Sequence, residues 1–372
     1  MSRASDAVVV GGGVIGAAVA FSLARAGLAV TLLERGELAG QASSVAAGML
    51  APLSESHGDA ALRRAGLASL ALFPALVAEL REATGIDPEW TPSGCLALAA
   101  DEWQALELRG RAEQDAPLGS VWLEPNELAR LAPALARRAC AHGALLSPRE
   151  AHVRSALLTR AFAAAAEARG ARIETGVAVH GLLRTGERVS GVASSAGERP
   201  AAVVVLCPGS AAAECAAWIG ESARIPVEPV RGQLVLLAPK SAWTTRAMLS
   251  SRDLYLVPRR DGALVVGATL ERVGFDARVT AGGAAKLLAA ACALAPELEQ
   301  AQLLSSAAGL RPDTPDHLPL IGPWPDAPGL VLAGGHYRSG VLLAPLTGQL
   351  VADGVLGKGW AEPAFAPSRF ST

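Results

Sequence analysis

The residues with the clearest chemical meaning stand near the start of the chain. Gly11-Gly12-Gly13-Val14-Ile15-Gly16 has the spacing Gly-x-Gly-x-x-Gly. Glu34 stands about 20 residues further on. In such a motif the first glycine permits a tight turn and the second lets a pyrophosphate approach the backbone. The third lets the following helix pack closely. The helix N-terminus adds unpaired N–H groups and the positive end of a dipole, and the carboxylate accepts hydrogen bonds from ribose hydroxyls. Together they read as a site for an ADP-containing dinucleotide, against the alternative of a packing turn with Glu34 as a surface carboxylate. A second chemistry belongs to Arg311 and Arg338, because a planar guanidinium grips a carboxylate through two parallel hydrogen bonds. Each could instead be a structural ion-pair arginine. Tyr255, one of two tyrosines, could donate its hydroxyl or serve as a core aromatic with a wet tip. His57, His142, His152, His180 and His317 show no ligand-like clustering, so no metal is expected.

Particular elements must hold these groups. Apolar runs at 7–10 and 29–33 read as buried parallel strands flanking a helix from about 14 to 25, with Gly27 as its C-cap. Beyond them, Gly40, Gln41, Ala42, Ser43 and Ser44, then Ala46, Ala47, Gly48 and Met49, are mostly small or hydroxyl-bearing. They suit an extended segment beside a pyrophosphate, a ribityl chain and a flat ring, which tips the dinucleotide from NAD toward FAD. The same composition also suits a flexible loop. A helix is expected over 62–83, ended by residues 85–88. Mixed short elements follow between 90 and 150, including a strand at 95–99 and a helix at 125–130, and read as a change of module. Parallel-sheet character returns with a helix over 155–169, a strand at 171–174 and a buried strand at 202–207. Alternating runs at 232–237, 254–258 and 264–267, with a turn at 260–262, predict antiparallel strands. A helix over 282–294, a strand at 329–333, a glycine-rich turn and a helix over 341–354 complete the chain.

Composition narrows the class. At 372 residues the chain is long enough for two domains. With 33 Lys plus Arg against 35 Asp plus Glu it has no basic field for nucleic acid or an anionic membrane. A mean hydropathy of +0.32 raises the question of membrane insertion. The most apolar run near the N-terminus, residues 7–33, is broken by Gly11, Gly12, Gly13 and Gly16 and contains Arg25, so neither a membrane span nor a signal peptide is expected. Five cysteines without a Cys-x-x-Cys pair predict a reduced, cytoplasmic protein without structural zinc.

Seven segments carry a resemblance along the whole chain: VVVGGGVIGAAVAFSLARAG with Glu34, SSVAAGMLAP, VVVLCPGS, PVRGQ, YLVPRRDGALVVGAT, GLRPDTPDHLPLIG and LAGGHYRSGVLLAPLTGQLVAD. In order and spacing the sequence resembles the D-amino-acid oxidase superfamily of FAD enzymes, and within it the glycine oxidases associated with thiamine biosynthesis. The resemblance implies a mixed α/β and α+β fold. A Rossmann-like FAD-binding domain (1–86, 150–222 and 305–372) would be interleaved with a substrate-binding domain (87–149 and 223–304) built on a large antiparallel sheet. It implies FAD contacts from Gly11, Gly13, Val14, Ile15, Gly16, Glu34, Arg35, Ala42, Ser43, Ser44, Ala47, Gly48 and Met49. Further contacts would come from Val179 through its backbone, Gly209, His336, Tyr337, Ser339, Gly340, Val341 and Leu342. On pattern alone Val179 is simply a strand residue. The helix starting near Val341 would aim its N-terminus at the electron-rich side of the flavin.

The same resemblance assigns Arg338, in its His-x-Arg-x-Gly segment, to the substrate carboxylate, with Arg311 and Tyr255 assisting. Oxidation of a neutral amine by hydride transfer needs no base, so His336 is assigned to hydrogen bonding with the flavin. No cysteine lies near residues 309–311, where monomeric sarcosine oxidases attach their flavin, so FAD should be non-covalent. Those enzymes also lack the arginine found at Arg338. One dinucleotide motif leaves no place for NAD(P)H, so substrate must reduce the flavin; the resemblance implies that molecular oxygen reoxidises it, giving hydrogen peroxide. The expected activity is oxidative deamination of glycine or a small amino acid or amine. Its imine would be hydrolysed to a 2-oxo acid and ammonia or passed to thiazole synthesis. A D-amino-acid or N-alkyl-glycine dehydrogenase with a quinone acceptor, and a non-catalytic flavoprotein scaffold, are the alternatives. A homo-oligomer stays open. Leu270, where methionine is expected near the substrate, and His-Tyr-Arg-Ser in place of His-Phe-Arg-Asn depart from the family pattern and leave the amine undecided.

Overall fold

Apolar strands with no polar face need cover on both sides, and the N-terminal residues meet that need at once. The computed structural model describes residues 5–55 and 59–370, so His57 lies outside it. The chain opens with β1 (Ser5–Val10), α1 (Val14–Arg25) and β2 (Val30–Glu34), a parallel βαβ unit. Successive β1 residues split between two cores. Ala7 and Val9 face the helices, while Val8 and Val10 join Leu33, Leu206 and Ile225 on the other side. Then come α2 (Ala42–Val45), β3 (Met49–Leu50), α3 (Pro52–Glu55) and the long α4 (Ala60–Thr84). Asp59 caps α4 by accepting from the Leu62 N–H at 2.7 Å, and Gly85 ends it with a φ of 71°. By length and composition α4 could cross a membrane, a stretch the sequence reading did not weigh. Its Phe73, Leu76 and Leu80 are buried in the helix-side core.

The middle of the chain builds β4 (Cys95–Leu98), α5 (Glu102–Gln114), β5 (Val121–Leu123), α6 (Pro125–Leu131), β6 (Ala144–Ser147) and β7 (Ala151–His152). It continues through α7 (Ser155–Glu167), β8 (Arg172–Thr175), β9 (Val179–Thr185), β10 (Arg188–Ser194), β11 (Gly197–Leu206) and α8 (Ala216–Ile219). The remainder is β12 (Glu228–Ala238), β13 (Met248–Ser250), β14 (Tyr255–Pro258), β15 (Leu264–Gly267), α9 (Ala281–Leu294), β16 (Gln302–Asp313), β17 (Leu320–Pro323), β18 (Leu330–Gly334) and α10 (Gly340–Val355).

These strands form two large sheets, giving the mixed α/β architecture expected from the sequence. The first has the order β17-β18-β11-β1-β2-β8, parallel from β18 to β8, with the β9–β10 hairpin added antiparallel to β11. Helices α1, α4, α7 and α10 cover one face. There Phe21 and Phe162 meet at 5.6 Å between ring centroids, each contributing about 1.5–3 kcal/mol by burial. The second sheet has the order β16-β12-β15-β14-β13-β4-β6-β5 and is antiparallel except where β13 lies parallel to β4. β16 pairs with β12 from Gln302 to Asp313, crossing the change of unit expected at 304/305. One face of this sheet packs on α6 and α9. The other packs on Ala47, Met49 and Ala51, the segment that passes between the two sheets.

Candidate active site

The turn between β1 and α1 has room for backbone only. Gly11 has a φ of 110°, and a side chain there would strike the carbonyl of Cys207. A side chain on Gly16 would strike the carbonyl of Gly11. Glu34 braces this loop: its carboxylate accepts from the Gly12 N–H at 2.6 Å and the Gly36 N–H at 2.7 Å. Each oxygen keeps a further lone pair, so the expected bonds from ribose hydroxyls are compatible with this role. At the first turn of α1 the Val14 N–H donates to Ser43 Oγ at 3.0 Å, tying α2 to the helix N-terminus.

From this turn a cavity runs toward the second sheet. Gly13, Val14 and Ile15 line one end, Ala42, Ser43, Ala47, Gly48 and Met49 its flank, and Gly209, His336, Tyr337, Gly340 and Val341 the side opposite. Tyr255, Arg311 and Arg338 line it as well. Gly11, Gly16, Glu34, Arg35, Ser44, Val179, Ser339 and Leu342 are not on its lining. Gly11 and Gly16 shape the turn behind it, Ser44 Oγ donates to the Gln41 carbonyl, and the Leu342 carbonyl accepts from Ser69 Oγ. Arg35 is exposed, and Val179 is half-buried at the start of β9. Ser339 precedes α10 and lines a small adjoining pocket with Leu342. Leu270, expected near the substrate, is 56% exposed instead. Thr269 turns inward there to bond the Gln233 N–H and Glu271, and alternation along the chain sends Leu270 outward.

The second sheet presents a planned row of small and large residues. Leu234 lies opposite Gly267, which lies opposite Tyr255, so the three share one face. A side chain on Gly267 would run into the Tyr255 ring, and one on Gly232 would run into the Arg311 guanidinium. Glycine at both positions lets Tyr255 and Arg311 lie flat along the cavity wall. Gly309 likewise leaves space against Val45. None of these glycines was singled out from the sequence, because their requirement comes from neighbours on other strands.

Electrostatics separates the two arginines. Arg338 donates to Glu55 Oε1 at 2.6 Å, and that carboxylate holds its pKa above the ordinary arginine value. Arg311 donates to the Thr269 carbonyl at 3.2 Å. Burial pushes the Tyr255 phenol up, while the Arg311 charge pulls the other way. His336 is 2% exposed, and burial pushes its imidazole down to about 3, so it is neutral. Its Nε2 lies 2.9 Å from Thr347 Oγ1, and its Nδ1 is buried with no partner among the described residues.

Two residues not anticipated from the sequence hold the intervening segment. Arg259, pushed down to about 10 by burial, donates to the carbonyls of Ala47 at 2.7 Å and Val153 at 3.1 Å. Glu150, fully buried and pushed up to about 7 by desolvation, accepts from Leu53 N–H at 2.7 Å, Ser54 N–H at 2.8 Å and Ser54 Oγ at 2.6 Å.

The residues present fit an elongated dinucleotide. The α1 N-terminus and its glycine turn suit a pyrophosphate. The small residues from Ala46 to Gly48 leave room for a flat ring, and the His336 Nδ1, without a partner among the described residues, and the first turn of α10 supply polar groups at its edge. Residues 6–354 match the DAO family of FAD-dependent oxidoreductases. The chain belongs to that family and is an FAD-dependent oxidoreductase. It is 38% identical over 373 residues to a glycine oxidase of Geobacillus kaustophilus, covering all of this chain and 97% of that protein. It is 37% identical to a glycine oxidase of Pseudomonas aeruginosa, covering 98% and 97%. A crystal structure of glycine oxidase from Geobacillus kaustophilus superposes over all of both chains with a TM-score of 0.93 at 36% identity.

Proposed function

We propose that the enzyme oxidises glycine or another small amino acid or amine to the imine, with molecular oxygen as final acceptor and hydrogen peroxide as product. The observation that carries this reading is the placement of Arg311 and Tyr255 together at the far end of the dinucleotide cavity. Among the described residues Arg311 has one hydrogen-bond partner, the neutral Thr269 carbonyl, and so keeps donors for a carboxylate. Arg338, expected as the anchor, is already engaged by Glu55. We therefore assign the carboxylate to Arg311, with the Tyr255 hydroxyl as second donor, and give Arg338 a supporting place. Bound FAD supplies the hydride acceptor for the substrate α-carbon. The chain's own residues fix the carboxylate, exclude water with the Ala46–Met49 flank, and keep His336 neutral beside the cofactor. FAD is held non-covalently, since no cysteine adjoins Gly309 to Arg311. The cysteines Cys95, Cys140, Cys207, Cys215 and Cys292 are free, which supports a reducing compartment such as the cytoplasm.

Anaerobic titration of the yellow holoenzyme with glycine, sarcosine and D-alanine tests the reading. Bleaching by at least one of them, followed by stoichiometric peroxide on admitting air, is expected. Bleaching with dye reduction but no peroxide would turn the assignment to a dehydrogenase, and no bleaching by any amine would overturn it.

A further inference from the structure

We propose that Glu55 sets the charge class of the substrate: by occupying Arg338 it keeps a second cationic site from taking a second carboxylate, and confines the enzyme to amino acids with one. The inference rests on the reading above and concerns the same cavity. Arg311, Arg338 and Glu55 all line it, and all three act electrostatically on the Tyr255 phenol, so they surround one small volume.

The two guanidiniums differ in what already holds them. Arg311 meets a neutral carbonyl at 3.2 Å, whereas Arg338 meets a carboxylate at 2.6 Å, the length of a charge-assisted bond. With Glu55 in place the three side chains sum to one positive charge, which a single substrate carboxylate balances. A dicarboxylate would place three carboxylates around two guanidiniums, or would have to push Glu55 away from its partner. Juxtaposed like charges in a desolvated site discriminate strongly between ligands of otherwise similar shape.

The backbone that carries Glu55 is anchored by hydrogen bonds. Its N–H donates to the Ala51 carbonyl at 2.9 Å. The two preceding N–H groups, of Leu53 and Ser54, are both held by the buried Glu150. Arg111 donates to the Leu53 carbonyl. α3 is thereby held by two partners from other elements, and the Glu55 side chain, 16% exposed, projects toward Arg338. A carboxylate held so firmly opposite a cavity arginine acts as a built-in competitor for that arginine.

The test compares N-methylglycine with N-carboxymethylglycine (iminodiacetate), which differ only by the second carboxylate, on the holoenzyme and on Glu55→Gln. The substitution keeps shape and removes charge. The ratio of kcat/KM for iminodiacetate to that for N-methylglycine should rise at least about tenfold, and the gain should vanish in Glu55→Gln combined with Arg338→Met. Independently of turnover, malonate should perturb the flavin absorbance of Glu55→Gln at a concentration at least about tenfold lower than in the parent, while acetate shifts far less. Glu55→Ala repeats both measurements should the glutamine variant not retain FAD. An unchanged or lowered ratio, or a gain that survives loss of Arg338, overturns the inference. Failure of every amine to bleach the parent holoenzyme would instead strike the functional reading, and the malonate-to-acetate comparison would still decide the role of Glu55.

Discussion

At the α1 end of the cavity the working groups are backbone N–H groups and bare glycine Cα atoms, with Glu34 and Ser43 as braces. At the β12–β16 end they are long charged or phenolic side chains: Arg311, Arg338, Glu55 and Tyr255. The first end suits a ligand that never changes, because a cradle of main chain has no side chain to vary. The second can be retuned by one substitution, because its geometry and charge reside in side chains that rigid strands and a pinned helix only carry. Chemistry common to a family and chemistry peculiar to a member are thus housed in different materials.

Four measurements would sharpen or break this contrast. Gly16→Val, whose side chain would strike the Gly11 carbonyl, should give the largest effect, a fall in FAD content to less than about a tenth of parental. Full occupancy would mean that the cradle tolerates side chains after all. Arg311→Met should keep the flavin spectrum yet lower kcat/KM about 10³-fold, or ~4 kcal/mol, the loss of a buried carboxylate's partner. Loss of FAD instead would join the two ends that are here held distinct.

Glu150→Gln probes the rigid base of the side-chain end through pH. Between about 4.5 and 7 the folded chain holds a proton on Glu150 that the unfolded chain has released. This carboxyl therefore stabilises the fold most at low pH, and its contribution is lost as pH rises through about 7, amounting to as much as ~3 kcal/mol. The Tm of the variant relative to the parent should rise from pH 5 to pH 8, and a flat difference would deny the burial of this charge. Arg338→Met should have the smallest effect, about a tenfold fall in kcat/KM for glycine, because Glu55 already neutralises that arginine. A loss equal to that of Arg311→Met would return the carboxylate anchor to Arg338.

The cradle was legible in the sequence because its determinants are local. The glycine spacing, the apolar runs and the helix at 14–25 all lie within about one βαβ length, and the structure places α1 at Val14–Arg25. Alternation also revealed which strands have one buried face, but it does not name a strand's partner, so the parallel contact of β4 with β13 was invisible. The β9–β10 hairpin escaped for another reason: its buried or half-buried apolar residues are interrupted by glycine, serine, histidine and arginine, and the short turn at Gly186 sits in no apolar frame. The side-chain end was legible only through the resemblance. Arg311, Arg338 and Tyr255 do converge on the cavity, yet Glu55 is 283 residues from Arg338 and no local pattern marks it. Without that partner in view, the resemblance gave the anchoring role to Arg338 and left Arg311 to assist.

The layout of the first sheet also bears on how the chain is made. α1 and α4 emerge early, but the helix that covers them, α10, is among the last elements synthesised. The Ser69 hydroxyl waits for the Leu342 carbonyl, 273 residues later, which at ~5–20 residues/s of translation is on the order of 15–55 s. Until α10 arrives the apolar faces of α1 and α4 lack this cover, so chaperone binding and a lower yield at slowed translation are the expected outcome. Expression at reduced elongation rate, with and without added holdase, would read that dependence directly.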